Sequence, residues 1–321
     1  MDQDWAIRLA AFKWLSEMAA SHGDVLPRSL LLKGFDYAGI RIPLVSPQGI
    51  FKPRAMDYPL TITTTPEGPY KDAFAPDGLL SYRYRGSDPN HPDNVGLREA
   101  LTNQRPLIYF HGIVPGKYLA VWPVFAVGDD RSALTFRVAV DDYATLAEKP
   151  EGVLLDERTS VRRAYVTRTV RVRLHQRTFR ERVLEAYRSQ CALCRLRHLE
   201  LLDAAHFIPD PEPEGEPHIT NGIALCRLHH AAFDALILGI SPDFRVHIRQ
   251  DVLSEEDGPT LRFALQALHG TMIALPKSSH LAKSRRSRME VRSVQDRSVA
   301  RHPRPTCRTP DQSSPNPCYL Q

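Results

Sequence analysis

The chain has 321 residues, 42% hydrophobic and 25% charged. That is enough for two domains with separate cores, and no run of eighteen apolar residues is present, which excludes a spanning helix of ordinary length. The net charge of +5 is not spread evenly: from residue 283 onward there are nine basic and three acidic side chains, which leaves −1 for everything before them, so net charge alone does not mark a nucleic-acid binder. The five cysteines (Cys191, Cys194, Cys226, Cys307 and Cys318) are odd in number and missing from the first 190 residues, a distribution that argues against a disulfide framework.

The opening stretch "MDQDWAIRLAAFKWLSEMAASHGD" reads as an amphipathic helix over 4–21 within an N-terminal segment 1–23, ended by Gly23. It lacks the basic start of a signal peptide, so a cytoplasmic location is expected. Residues 24–142 change character. Short apolar runs such as "YPLTITTTP", "RPLIYFHGI" and "KYLAVWPVFAV" are separated by Pro and Gly, and they predict a β-rich domain, a small barrel. One helix is expected inside it, at 94–104, with Asp93 or Asn94 as its cap. Residues 143–175 read as a basic connector carrying Arg158, Arg162, Arg163, Arg168, Arg171 and Arg173. A further helix at 176–190, with Phe179, Val183, Leu184 and Tyr187 at helical spacing, delivers the chain to Cys191 and opens a second domain, 176–276. Residues 277–321 are rich in Ser, Arg and Pro and are expected to be a disordered basic tail.

The second domain concentrates metal-binding residue types. Cys191-x-x-Cys194 and Cys226-x-x-His229 form two knuckles with the spacing of a tetrahedral Cys3His zinc site. The plainer reading makes Cys191 and Cys194 small core residues. Nothing resembling a thioredoxin unit surrounds the pair, which sets redox chemistry aside. His206, Asn221 and His230 remain, with Asp234 four residues after His230 on one helix face.

The segments "CALC", "LLDAAHFIPD", "HITNGIALCRLHHAAFD" and "GISPDFRVHI" resemble successive parts of the HNH, or ββα-metal, endonucleases, in the branch typical of bacterial restriction-type enzymes. The resemblance covers about 176–275. It implies His206 as general base, Asn221 as the residue orienting its imidazole, and His230 with Asp234 as holders of one catalytic divalent ion, Mg2+ or Mn2+, beside a structural Zn2+ on Cys191, Cys194, Cys226 and His229. Many HNH sites carry a further ligand just before the base. Here that position is Ala205, which leaves Asp203 as a substitute candidate.

Residues 24–142 resemble the PUA/SRA-like readers that accompany HNH modules in modification-dependent restriction enzymes. The fold class expected is therefore α+β, an N-terminal β-rich barrel followed by a zinc-stapled ββα-metal domain. The partner expected is DNA, including base-modified duplex, with Gln48 and Trp122 as reader residues and Phe51, Tyr82, Tyr84, Tyr109 and His111 as further pocket candidates. A winged-helix-like duplex reader is a competing view of the same region. Arg162, Arg163 and Arg180 are candidate phosphate contacts, with Arg182 beside them. Cutting both strands with one site per chain favours a homodimer or two binding events. The alternative function is a zinc-containing DNA-binding protein without catalysis.

Overall fold

The computed structural model describes residues 2–66, 73–74, 79–141, 157–208, 218–256 and 258–277. The chain divides into two compact units, Met1–Arg227 with Ala274–Arg285, and Leu228–Ile273 with Arg286–Gln321. The expected disordered tail lies, from 278 onward, outside the described residues.

The N-terminal helix α1 runs Gln3–His22. Asp2 caps it, its carboxylate accepting from the Trp5 N–H at 2.7 Å, and Gly23 ends it at φ +80°. One face buries Ile7, Ala11, Phe12 and Leu15. The same face carries Arg8, which is fully buried. Its guanidinium donates to Asp4 at 2.6 Å and to the carbonyls of Pro59 and Pro106 at 2.9 and 2.8 Å, while the Asp4 carboxylate also accepts from the backbone of Asp57 and Tyr58. A buried ion pair persists only when its remaining donors and acceptors are satisfied, and here the extra bonds tie the helix to two loops of the sheet.

That sheet has eight strands. Its central path, in hydrogen-bonded order, is β4 (Ile50–Phe51), β5 (Thr61–Thr64), β8 (Leu107–Val114), β9 (Lys117–Asp130), β10 (Thr135–Val140), β7 (Leu80–Arg83) and β6 (Ala73–Phe74), with β1 (Val25–Pro27) also on β9. A separate pair, β2 (Phe35–Tyr37) and β3 (Ile40–Ile42), follows the short helix α2 (Arg28–Lys33). All of these pairings are antiparallel except β5 with β8. The path has two ends, and β4 and β6 do not pair among the described residues. The region is thus a curled sheet, whose closure into the expected barrel is not seen among the described residues, and eight strands in one sheet also exceed the wing of a winged helix.

Both faces of β8 are covered, which explains the unbroken apolar run "LIYF". Ile108 and Phe110 pack with Phe12, Leu15, Tyr118 and Phe125 on one side. Leu107 and Tyr109 pack with Leu97, Leu119, Val121, Val124 and Leu174 on the other. In β9 the inward parity switches between Val121 and Val124, because the register with β8 slips at Trp122–Pro123. A bulge there accommodates a proline that has no N–H to give to the ladder. The helix α3 runs Pro92–Thr102 and is capped by His91, whose ring accepts from the Asp93 N–H at 3.1 Å. The expected caps are otherwise engaged: Asn94 is buried and brackets Arg85 and Asp88, and Asp93 pairs with Arg85.

A single 30-residue helix, α4, runs Glu157–Ala186. The helix expected at 176–190 therefore extends back through residues 157–175. It packs on the sheet through Leu174 and on a hairpin formed by β11 (Leu202–His206) and β12 (Gly222–Cys226). In the second unit lie most of α5 (Arg227–Asp234), the paired strands β13 (Leu238–Ile240) and β14 (Val246–Ile248), and two short helices, α6 (Gln250–Leu253) and α7 (Pro259–Ala264). The architecture is mixed α+β.

Candidate zinc and catalytic site

The metal-binding residues converge at one end of the β11–β12 hairpin. Cys226 is the last residue of β12, opposite Leu202. The Cys191–Cys194 knuckle closes on itself, with the Cys191 N–H donating to Leu196 and the Arg195 N–H returning to Cys191. It is tied to the hairpin by the Ala192 N–H donating to Ala224 at 2.7 Å. The backbone thus places the knuckle beside Cys226, and three residues on, along a continuous strand-to-helix junction, comes His229.

The ligand atoms of Cys191, Cys194, Cys226 and His229 all lie within 4.8 Å of one another. Cys194 and Cys226 have sulfurs 3.9 Å apart, too far for a disulfide and close to the roughly 3.8 Å edge of a tetrahedron with Zn–S bonds of about 2.3 Å. His229 is 1% exposed, and its Nε2 lies 2.8 Å from the Ala264 carbonyl oxygen. A carbonyl only accepts, so Nε2 carries the proton and Nδ1 is the nitrogen suited to a metal, the arrangement that fixes a ligand tautomer. Hydrogen bonding to the Cys191 and Cys226 sulfurs, with burial, raises the Cys194 thiol far above its ordinary pKa. Three sulfurs this crowded carry negative charge only with a cation among them. The donor set fits zinc.

His206 ends β11 opposite Gly222. Its imidazole stacks on Phe179 of α4, centroids 3.9 Å apart and planes 9° from parallel. Gly222 has no alternative here: a Cβ would sit 2.4 Å from Val183 Cγ2 and 2.8 Å from Phe179 Cζ. Asn221 is buried and holds the backbone of Ile208 with both ends of its amide, accepting from the N–H at 2.8 Å and donating to the carbonyl at 3.0 Å. Its own carbonyl accepts from the Phe207 N–H. These bonds fix the chain immediately after His206. In the second unit, His230 Nε2 lies 3.4 Å from Asp234 Oδ2 across one helical turn, with the carboxylate largely exposed. Asp203 accepts from the Ala204 N–H and lies 3.5 Å from Arg180 Nε, so an arginine occupies the carboxylate considered as a substitute ligand.

The expected DNA contacts fare differently. Arg163 is 2% exposed, paired with Asp141 at 2.7 Å and stacked over Phe125. It is a core arginine rather than a phosphate contact. Arg162 is partly exposed and forked onto the same Asp141. Arg180 donates to the carbonyls of Leu199 and Leu202 and to Glu181, which makes it a brace between α4 and the hairpin. Arg182 donates to Ile113. Tyr82, Tyr84 and Tyr109 are buried in the sheet's core and do not present rings to a ligand. Phe51 is half-buried on β4, and Gln48 is exposed on a turn closed by Ser46. Trp122 is partly buried and lines a cavity of about 370 Å³ with Asp24, Val121, Asp141, Val166 and Arg173. His111 sits beneath α4, its Nδ1 3.0 Å from the Tyr109 hydroxyl, and burial together with Arg182 and His175 pushes its pKa down to about 4. Phe179 and Gly222 position His206 without any signal in the sequence beyond an apolar helix position and a turn glycine.

Residues 191–241 match the family model described as HNH endonuclease (HNH_2). No curated protein matches the sequence. Among solved structures, one described as a modification-dependent TagI restriction endonuclease aligns over 61% of this chain and 73% of its own, at 18% identity and a TM-score of 0.22. Another, described as the type IV phosphorothioation-dependent restriction endonuclease ScoMcrA, aligns over 54% and 52%, at 17% identity and a TM-score of 0.19. No described helix is long and apolar enough to cross a membrane.

Proposed function

We propose, for a chain that carries an HNH endonuclease domain at 191–241 and is by that token a nuclease, a metal-dependent cleavage of DNA in the restriction of modified or foreign DNA. The observation that carries this reading is the coincidence of the matched span with His206, Asn221, His230 and Asp234 in sequence order, together with a Cys3His cluster in the same span. His206 takes a proton from the attacking water at a ring nitrogen, its plane held by Phe179. Asn221 positions that histidine by clamping Ile208. His230 and Asp234 hold Mg2+ or Mn2+, which when bound supplies positive charge at the scissile phosphate and the leaving oxygen. Cys191, Cys194, Cys226 and His229 hold zinc as a staple rather than as a reagent.

The N-terminal sheet is the reader in this scheme, PUA/SRA-like in role, with Trp122 and its cavity and the exposed Gln48 as the side chains available to a base. The protein acts in the cytoplasm, as a homodimer or through two binding events when both strands are cut. A second reading, a zinc-containing DNA-binding protein without catalysis, draws on Ala205 and on the Asp203–Arg180 contact, which together leave the catalytic ion short of one ligand.

The test is plasmid cleavage by purified protein on unmodified, cytosine-methylated, hydroxymethylated and phosphorothioated DNA, with Mg2+, Mn2+ or EDTA, beside His206→Ala. Cleavage of a modified substrate, lost in EDTA and reduced by about 10²–10⁴-fold in the variant, is expected. Equal cutting of all substrates removes the modification reader, and binding without cutting in any metal favours the second reading.

A further inference from the structure

We infer that the outward face of α4, centred on Tyr165 and Arg168, is a DNA-backbone contact surface. The inference rests on the DNA-directed role proposed above. Between residues 161 and 180 the helix carries seven arginines and no carboxylate. Most are already held by the fold. Asp141 takes Arg162 and Arg163, Asp24 takes Arg173 and Arg177, and Arg180 braces the hairpin. Two carboxylates serving four arginines leave the helix electropositive even on the sides where it is paired.

Arg168 is different. It is exposed and makes no ion pair among the described residues. It belongs to a stripe of Val161, Tyr165, Arg168 and Val172 at spacings of four, three and four, which is one helix face. Tyr165 is 73% exposed, Val161 67% and Val172 49%. Such exposure of large apolar side chains on a well-formed helix marks a surface with a use. Arg171 flanks the stripe.

The charge decides the occupant. A second copy of the chain would set Arg168 and the flanking Arg171 against their own copies, with no carboxylate between residues 161 and 180 on either helix to offset the repulsion. A polyanion is complementary to a stretch whose charged side chains are all basic. DNA suits the mixture of side chains as well: guanidinium groups bond phosphate oxygens, while an aromatic ring and short aliphatic groups lie against sugars and base edges.

Binding of the full chain to a labelled 30-base-pair duplex, followed by fluorescence anisotropy in EDTA over a salt series, tests this. The variants are Arg168→Glu, Arg168→Ala and Tyr165→Ala, with Arg173→Ala as the paired-arginine comparison. Arg168→Glu is expected to weaken binding about tenfold, and Arg168→Ala to lower the slope of log K against log salt by about one, with melting temperature and zinc content unchanged. Unchanged affinity in Arg168→Glu and Tyr165→Ala, while the wild type binds and cuts, overturns the inference and leaves the nuclease reading intact. Failure of the wild type to bind any duplex overturns both. A change of sedimenting mass in the Tyr165 or Arg168 variants, with DNA affinity retained, makes this face a self-association surface and also overturns the inference.

Discussion

The imidazole of His206 lies flat on the ring of Phe179, 3.9 Å between centroids, although the two residues come from a strand and a helix that are 27 positions apart. Stacking fixes the plane of the imidazole, and with it the directions of both ring nitrogens. A general base works only within hydrogen-bond reach of its proton, so with His206 in the role proposed above the helix would share in the chemistry without touching substrate.

Phe179→Leu is therefore expected to lower the cleavage rate by tenfold or more while DNA affinity stays near wild type and the melting temperature falls by only a few degrees. Leucine keeps much of the buried volume and loses the flat face. Cleavage rates read alongside calorimetry decide the matter: an unchanged rate means that the stack is packing alone.

Gly222→Ala should destabilise the fold by about 1–3 kcal/mol, since its methyl group meets Val183 and Phe179 at distances no Cβ tolerates. Because β12 would be levered away from α4, cleavage should fall more than stability predicts. Urea unfolding of the variant gives the first quantity, and retention of the wild-type midpoint would contradict it.

The Cys3His cluster predicts one zinc per chain. Cys226→Ser should lose that zinc and lower the melting temperature by about 10 °C or more, because binding free energy at a structural site is folding free energy. Metal analysis after dialysis, combined with melting curves in a strong chelator, reads both effects. Full zinc content in the variant would place the metal elsewhere.

His111 gives the sheet a pH dependence. Its folded pKa, about 4, lies below the ordinary 6.5, because burial, Arg182 and His175 all disfavour the imidazolium, while the Tyr109 hydroxyl and Thr64 lie beside Nδ1. As pH falls the unfolded chain takes up this proton first. The stability linked to His111 is complete above about pH 6.5 and is lost progressively toward pH 4, amounting to about 3 kcal/mol at most. Denaturant midpoints across pH 4–7 should slope upward with pH in the wild type and less steeply in His111→Gln.

The metal knuckles, the N-terminal helix with its Gly23 stop and the strands of the sheet were legible because spacing and periodicity are local properties. The fate of the arginines was not. Arg8 and Arg163 are among the most buried side chains, and burial of a charge depends on carbonyls and carboxylates supplied from up to 98 residues away. The same fact hid the first half of α4. Its inward stripe includes Arg163 and Thr167, both buried, before reaching Leu174, so a window that counts apolar residues sees a basic connector where the chain makes a packed helix. The Cys3His geometry came through since its four donors lie in two short local knuckles, whereas the Phe179 stack and the Asn221 clamp on Ile208 arise only once the hairpin is laid on the helix.

The helix α4 touches the sheet and the hairpin at once: Arg182 bonds Ile113 on β8, and two residues earlier Arg180 bonds Leu202 on β11. No hinge separates the two attachments. The helix is in effect a ruler, and the offset between the sheet and the hairpin that carries His206 is written in residues of rise. One inserted residue would turn everything beyond it by about 100° and advance it by about 1.5 Å. Changes in chain length along this helix would thus come in permitted and forbidden steps, much as the teeth of a gear admit whole advances and no fractions.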